Sequence, residues 1–203
     1  MKKIAITGAS NRERLILCNA LSYLIGYDVI RCIPYTGFAV RYGLGRKEEK
    51  QEWTDLYFFV LQSFIERIET ESSYDEFISN GSVLNELAYM DAIESIKKKK
   101  SRSKDYLFMM NSLKSVITEY TVKKYDCIIH LAYNPQEIND INPIIDENLR
   151  ELIKSSNVKT YLYKGNSLSE ILENVFVDMN LKAEILPSTA IKKAELEFFV
   201  SSK

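Results

Sequence analysis

Short apolar runs alternate along this chain with longer stretches in which apolar residues return every three or four positions. Residues 3–7 (KIAIT) are apolar and β-branched and run into Gly8, which predicts a buried first strand closed by a tight turn. Over 11–25, Leu15, Cys18, Leu21, Leu24 and Ile25 keep helical spacing, and Gly26 stops the helix. Residues 27–33 (YDVIRCI) read as a second strand ended by Pro34. A Gly- and Tyr-rich loop over 34–45 leads into a long helix predicted over 48–68. One broad face of that helix carries Trp53, Leu56, Tyr57, Val60, Leu61, Phe64 and Ile68, which read as core.

The second half repeats the alternation. A short strand at 76–79 precedes a helix at 82–96, which runs into Lys97–Lys100, Arg102 and Lys104. A helix at 106–122 follows, and then residues 125–132 (YDCIIHLA), the most apolar strand and the expected centre of the sheet. Asn142 before Pro143 reads as a cap and first helical position, opening a helix to about 155. A strand at 160–163 follows. Ser167 and Glu170 form a capping box before a helix at 168–179, and a last helix spans 189–200. Strands alternating with helices predict an α/β fold with a mostly parallel sheet between two helical layers, built as one domain over 1–203.

Composition narrows the function classes. Hydrophobic residues make up 46% and charged ones 27%, as in an ordinary globular protein. A formal net charge of −1 provides no global field toward nucleic acid, so a nucleic-acid partner is not expected. Cys18, Cys32 and Cys127 are widely spaced in apolar contexts and read as buried thiols in a reducing compartment. With no signal-peptide pattern and no apolar run long enough to span a bilayer, a cytoplasmic protein without membrane contact is expected.

The connection after the first strand carries the candidate chemistry. A phosphate-binding loop, G-x-x-x-x-G-K-[ST], wraps a phosphate in backbone amides, reaches it with Lys and uses Ser/Thr for magnesium. Here the eight residues are Gly8, Ala9, Ser10, Asn11, Arg12, Glu13, Arg14 and Leu15. Glu13 replaces the second glycine with a carboxylate, Arg14 replaces the compact ammonium with a planar fork, and Leu15 offers no metal ligand. Ser10 and Glu13 also have capping-box spacing, which spends the amides an anion would use. Two readings follow: a capped helix that fills its own phosphate site, or an anion site rebuilt from Gly8, Ser10, Asn11, Arg12 and Arg14.

Several segments together resemble the P-loop nucleoside and nucleotide kinases, especially the small group that includes the kinase domain of nicotinamide-riboside-handling enzymes. IAITGAS matches their first strand and loop. Phe77 to Ser82 followed by VLNELAY resembles the strand that carries Asp-Arg-Ser. The stretch from Tyr125 through Asp146, Arg150, Gly165 and residues 168–172 resembles their C-terminal half. The resemblance implies a three-layer P-loop kinase-like fold, with ATP or another nucleotide and magnesium as cofactors and with Arg41, Asn80 and Ser82 on the substrate side. At the Asp-Arg-Ser position this chain has Asn80 and Gly81, and an amide cannot take a proton as the family's Asp does. The substitutions thus point to a non-catalytic or weakly active module and argue against bound ATP and magnesium. The alternative is an active ATP-dependent phosphotransferase using Arg14, Arg12 and the basic segment.

TGAS with IIHLA is also similar to extended short-chain dehydrogenases, which bind NAD(P), and this stands as a second alternative. Lys97–Lys100 with Arg102 and Lys104 read first as a solvated turn between two helices, with a phosphate lid or a patch for nucleic acid as the other readings. His130, the only histidine, reads as structural because the sequence shows it no Cys, Asp or Glu partner. In the C-terminal segment, Ile191, Ala194, Leu196, Phe198, Phe199 and Val200 either dock on the domain or meet a protein partner or a second copy. A nucleotide or small anion is the expected small-molecule partner.

Overall fold

A computed structural model describes residues 2–31, 53–96, 104–133, 141–165, 167–182 and 185–201. Its centre is a five-stranded, all-parallel sheet in the order β2-β3-β1-β4-β5. The strands are β1 (Lys3–Gly8), β2 (Asp28–Ile30), β3 (Phe77–Asn80), β4 (Cys127–Leu131) and β5 (Thr160–Tyr163). Seven helices are described: α1 (Asn11–Ile25), α2 (Trp53–Ser72), α3 (Val83–Ile96), α4 (Lys104–Lys124), α5 (Asn142–Ser156), α6 (Leu168–Asp178) and α7 (Pro187–Ser201).

Strict alternation along the central strands divides the core in two. Ala5, Phe77 and Ile128 face one layer, which packs Val60, Leu84, Leu87, Ile117 and Leu149 from α2, α3, α4 and α5. Ile4, Ile6, Ile78 and Ile129 face the other, which packs Leu17, Leu21, Leu172 and Ala194 from α1, α6 and α7. Because both faces of β1, β3 and β4 are covered, these strands read as continuous apolar runs. The helix after β1 lies on one face and the helix after β3 on the other. The adjacent C-terminal ends of β1 and β3 therefore open a crevice at a topological switch point, where α/β sheets bind ligands.

Most predicted elements stand, with shifted ends. The second strand is confined to Asp28–Ile30 among the described residues. The long helix is described from Trp53 and runs on to Ser72, and α4 extends to Lys104 and Lys124 at its two ends. The apolar strand starts only at Cys127, because Tyr125 and Asp126 are used elsewhere. The Asp126 carboxylate accepts from the amides of Lys2 and Lys3 at 2.6 and 3.1 Å. Asn142 is not the cap: Ile141 holds that position in helical conformation without a side-chain bond, and buried Asn142 is the first helical residue. The last helix starts two residues early at Pro187, whose fixed φ suits a first turn. Its Ala190, Ile191 and Ala194 dock on the domain, while Leu196, Phe199 and Val200 stay exposed. Cys18 and Cys127 are buried and free, as expected. The loop over 34–45, Cys32, the basic residues 97–102 and the side chains of Trp53 and Leu56 lie outside the described residues. No described helix is long and apolar enough to cross a membrane.

Candidate functional site at the ends of β1 and β3

β1 closes at Gly8, whose φ of +147° puts a Cβ built there 2.7 Å from the Leu131 carbonyl oxygen, so only glycine fits. Only Ala9 and Ser10 separate it from α1. Ser10 caps the helix, its hydroxyl accepting from the Glu13 amide at 3.4 Å, as the capping pattern predicts. Asn11, Arg12 and Glu13, which a phosphate-wrapping loop would need outside a helix, form the first turn of α1.

Arg14 turns inward and is 8% exposed. Its guanidinium donates to the Gly8 carbonyl, to Asn11 Oδ1 at 3.1 Å and to Asn80 Oδ1 at 3.3 Å. Asn80 Nδ2 closes the ring onto Asn11 Oδ1 at 3.2 Å. Burial pushes the guanidinium down to about 10, against the opposing charge of Glu86. The planar fork thus spends its donors on neutral oxygens inside the fold.

β3 ends on Asn80, and Gly81 follows at φ +86°, a left-handed turn that sends the chain into α3. Asn85 stabilises the turn, accepting from the Ser82 amide at 3.0 Å and donating to the Gly8 carbonyl at 3.1 Å. Ser82 Oγ is fully buried with no hydrogen-bond partner among the described residues.

Beneath this cluster lies a second buried group that sequence reading missed. Arg67 donates to Ser79 Oγ at 2.7 Å and to the Gly81 carbonyl at 3.1 Å, and it faces Glu71 at 3.3 Å and Glu86 at 3.8 Å. Glu71 accepts from Ser79, Tyr120 and Tyr125 at 2.7–2.8 Å. Burial raises the Glu86 carboxyl above the usual range, with Arg67 and Arg14 opposing. The only sequence signal was the i,i+4 spacing of Arg67 and Glu71, which reads equally well as a surface pair.

His130 does have an acidic partner, contrary to the reading from sequence. With its proton on Nε2 the ring donates to Asp146 Oδ1 at 3.1 Å and accepts the Thr7 hydroxyl at Nδ1, 3.0 Å away. Parallel pairing sets Thr7 opposite His130, and Asp146 arrives from α5, 16 positions further on.

The crevice therefore gathers Gly8, Asn11, Arg14, Asn80 and Ser82 at one end of the sheet. Arg12 is carried instead to α7, its guanidinium lying 5.8 and 5.5 Å from the ring centres of Phe198 and Phe199. Arg41 lies outside the described residues. Among the described residues no group of His, Cys, Asp and Glu is placed to hold a metal ion. Asn80 cannot serve as a base, and the Leu15 side chain carries no oxygen.

No protein-family profile matches the chain, and no curated protein matches it in sequence. Solved structures do match. Deoxyadenosine kinase from M. mycoides with bound dATP aligns at a TM-score of 0.66 and 13% identity, covering 88% of this chain and 99% of that one. The same enzyme with dCTP aligns at 0.56 and 15%, over 88% and 98%. With the products dCMP and a flexible dCDP it aligns at 0.53 and 15%, over the same shares. The fold is that of the P-loop nucleoside kinases. The dinucleotide-binding reading gains no support, since that fold sets its second strand beside the first, whereas here β3 lies between β2 and β1.

Proposed function

We propose that this chain is a nucleoside-kinase-like protein whose phosphate site is filled from within, so that it acts as a non-catalytic binding or interaction module. One observation carries the reading: the Arg14 guanidinium, at the position of the phosphate-reaching lysine, is buried on Gly8, Asn11 and Asn80. To meet a phosphate it would have to abandon three acceptors, and breaking such buried charge-assisted bonds costs about 1.5–3 kcal/mol each. The helical first turn and the Ser10 cap support the same conclusion, because they commit amides that would otherwise converge on an anion. Phosphoryl transfer depends on positioned charge and metal, and Leu15 supplies no side-chain magnesium ligand and Asn80 no proton acceptor.

The neighbours in fold bind dATP and dCTP, which supports nucleotide recognition by some part of this fold. In this chain such recognition would fall to the base or sugar rather than to the triphosphate. The exposed Leu196, Phe199 and Val200 support a protein contact through α7. Calorimetric titration with ATP and magnesium, alongside a phosphorylation assay on deoxyadenosine, tests the reading. We expect no saturable ATP binding below about 1 mM, where binding energy falls to roughly 4 kcal/mol, and no product. Micromolar MgATP affinity with turnover would establish the active-kinase alternative instead.

A further inference from the structure

α5 and the edge strand β5 enclose a lateral groove of about 530 Å³, lined by His130, Arg150, Ile153, Lys154, Val158 and Leu162 among others. It lies along the side of the sheet, not in the crevice at the ends of β1 and β3. Both faces of a parallel sheet are normally covered, yet Leu162, paired with His130 in the sheet, is 57% exposed on this face. Ile153 and Val158 extend the apolar floor.

The polar groups converge at one side. Lys154 and Arg150 lie one turn apart on α5. Lys154 forms no ion pair among the described residues, and Arg150 spends one nitrogen on Asp146 at 2.6 Å and leaves the rest of its fork open. Among the described residues no acidic side chain lines the groove. An apolar floor of small-molecule size with two cations on its rim has the chemistry of a site for an amphipathic organic anion. A groove of this volume suits a ligand of a few rings better than a protein segment, whose interface would need far more surface.

We propose that this groove binds an amphipathic organic anion, its apolar body on Ile153, Val158 and Leu162 and its acidic group between Arg150 and Lys154. The probe is 8-anilinonaphthalene-1-sulfonate, with the neutral N-phenyl-1-naphthylamine as control. One saturable sulfonate site is expected, with the neutral analogue at least about tenfold weaker and the difference shrinking at high salt. Lys154→Glu and Leu162→Gln, both at exposed positions, are each expected to weaken the sulfonate about tenfold while lowering the melting temperature by no more than about 4 °C, the cost to Lys154→Glu of a negative charge in the last turn of α5. Amide shifts in the unmodified protein are expected to centre on Val158 to Leu162, a readout independent of any variant. Shifts centred on α4 or α7, affinity within twofold in both variants, or no saturable site at all would each overturn the proposal.

Discussion

Arg14 Nε donates to Asn80 Oδ1 at 3.3 Å, joining the first turn of α1 to the end of β3 across 66 positions of sequence. By the resemblance drawn from the sequence, these two positions correspond to the phosphate-reaching lysine and the acid of the Asp-Arg-Ser motif. Here they hold each other. A cation and an amide are thus bonded to each other in the interior.

The bond predicts energetic coupling. Arg14→Met is expected to destabilise the protein by about 1–3 kcal/mol in urea denaturation, since it strips bonds from Gly8, Asn11 and Asn80. Asn80→Ala removes an acceptor from Arg14 and a donor from Asn11. In the double variant the two losses should overlap by about 0.5–2 kcal/mol. Strictly additive losses would mean that the two side chains do not support each other.

Gly8→Ala tests the turn beneath them. An alanine there meets the Leu131 carbonyl oxygen at 2.7 Å while its backbone is held at φ +147°. Neither can relax cheaply, because the oxygen is main chain of the neighbouring strand. A loss of at least about 1–3 kcal/mol follows from the backbone alone. A thermal midpoint equal to that of the unmodified protein would show that the turn has other conformations open to it.

Much of this was legible in the sequence because strands and helices announce themselves by period. The KIAIT and CIIHLA runs, the Gly26 stop and the Ser167 cap gave the alternation, and alternation gives a parallel sheet. The order β2-β3-β1-β4-β5 did not follow from any local pattern, since nothing in a three-residue strand states which neighbour it joins. At the site, the residue types at Arg14, Leu15 and Asn80 could be read directly. The destination of Arg14 could not, nor could its separation from Arg12, because two helical positions turn them to opposite sides, the first inward and the second toward Phe198 and Phe199. Glu71 and Glu86 look like surface charges in the sequence, and only their placement under β3 shows them buried. His130 found its partner across a segment whose length says nothing about contact.

Glu86 sets one pH dependence. Burial raises its folded carboxyl above the ordinary 4.5, so the folded state holds this proton to higher pH than the unfolded chain does. The contribution to stability is complete below the unfolded value and is lost as pH rises through the folded one. Glu86→Gln removes that loss. The variant should gain on the unmodified protein as pH climbs from about 4 toward neutrality, in denaturant midpoints taken at each pH. Parallel pH profiles for the two proteins would show that Glu86 ionises as it does in the unfolded chain.

Asp146 sets the opposite slope, and the two can be separated in one experiment. Burial alone would raise its carboxyl. The bond with His130, the Arg150 guanidinium and the Tyr133 amide outweigh burial and hold it below the ordinary 3.8. The folded state therefore releases this proton more readily than the unfolded chain. The stability it contributes is present above about pH 3.8 and drains away as pH falls through the lower, folded value. Asp146→Asn keeps the shape but gives up the charge that faces Arg150. It should be less stable than the unmodified protein at pH 7 by about 1–3 kcal/mol, with the gap closing as the solution is acidified below that range. Should the gap instead stay constant down to pH 2, the variant's loss would reflect packing around His130 and Thr7, and the carboxylate's charge would have no part in holding β4 to α5.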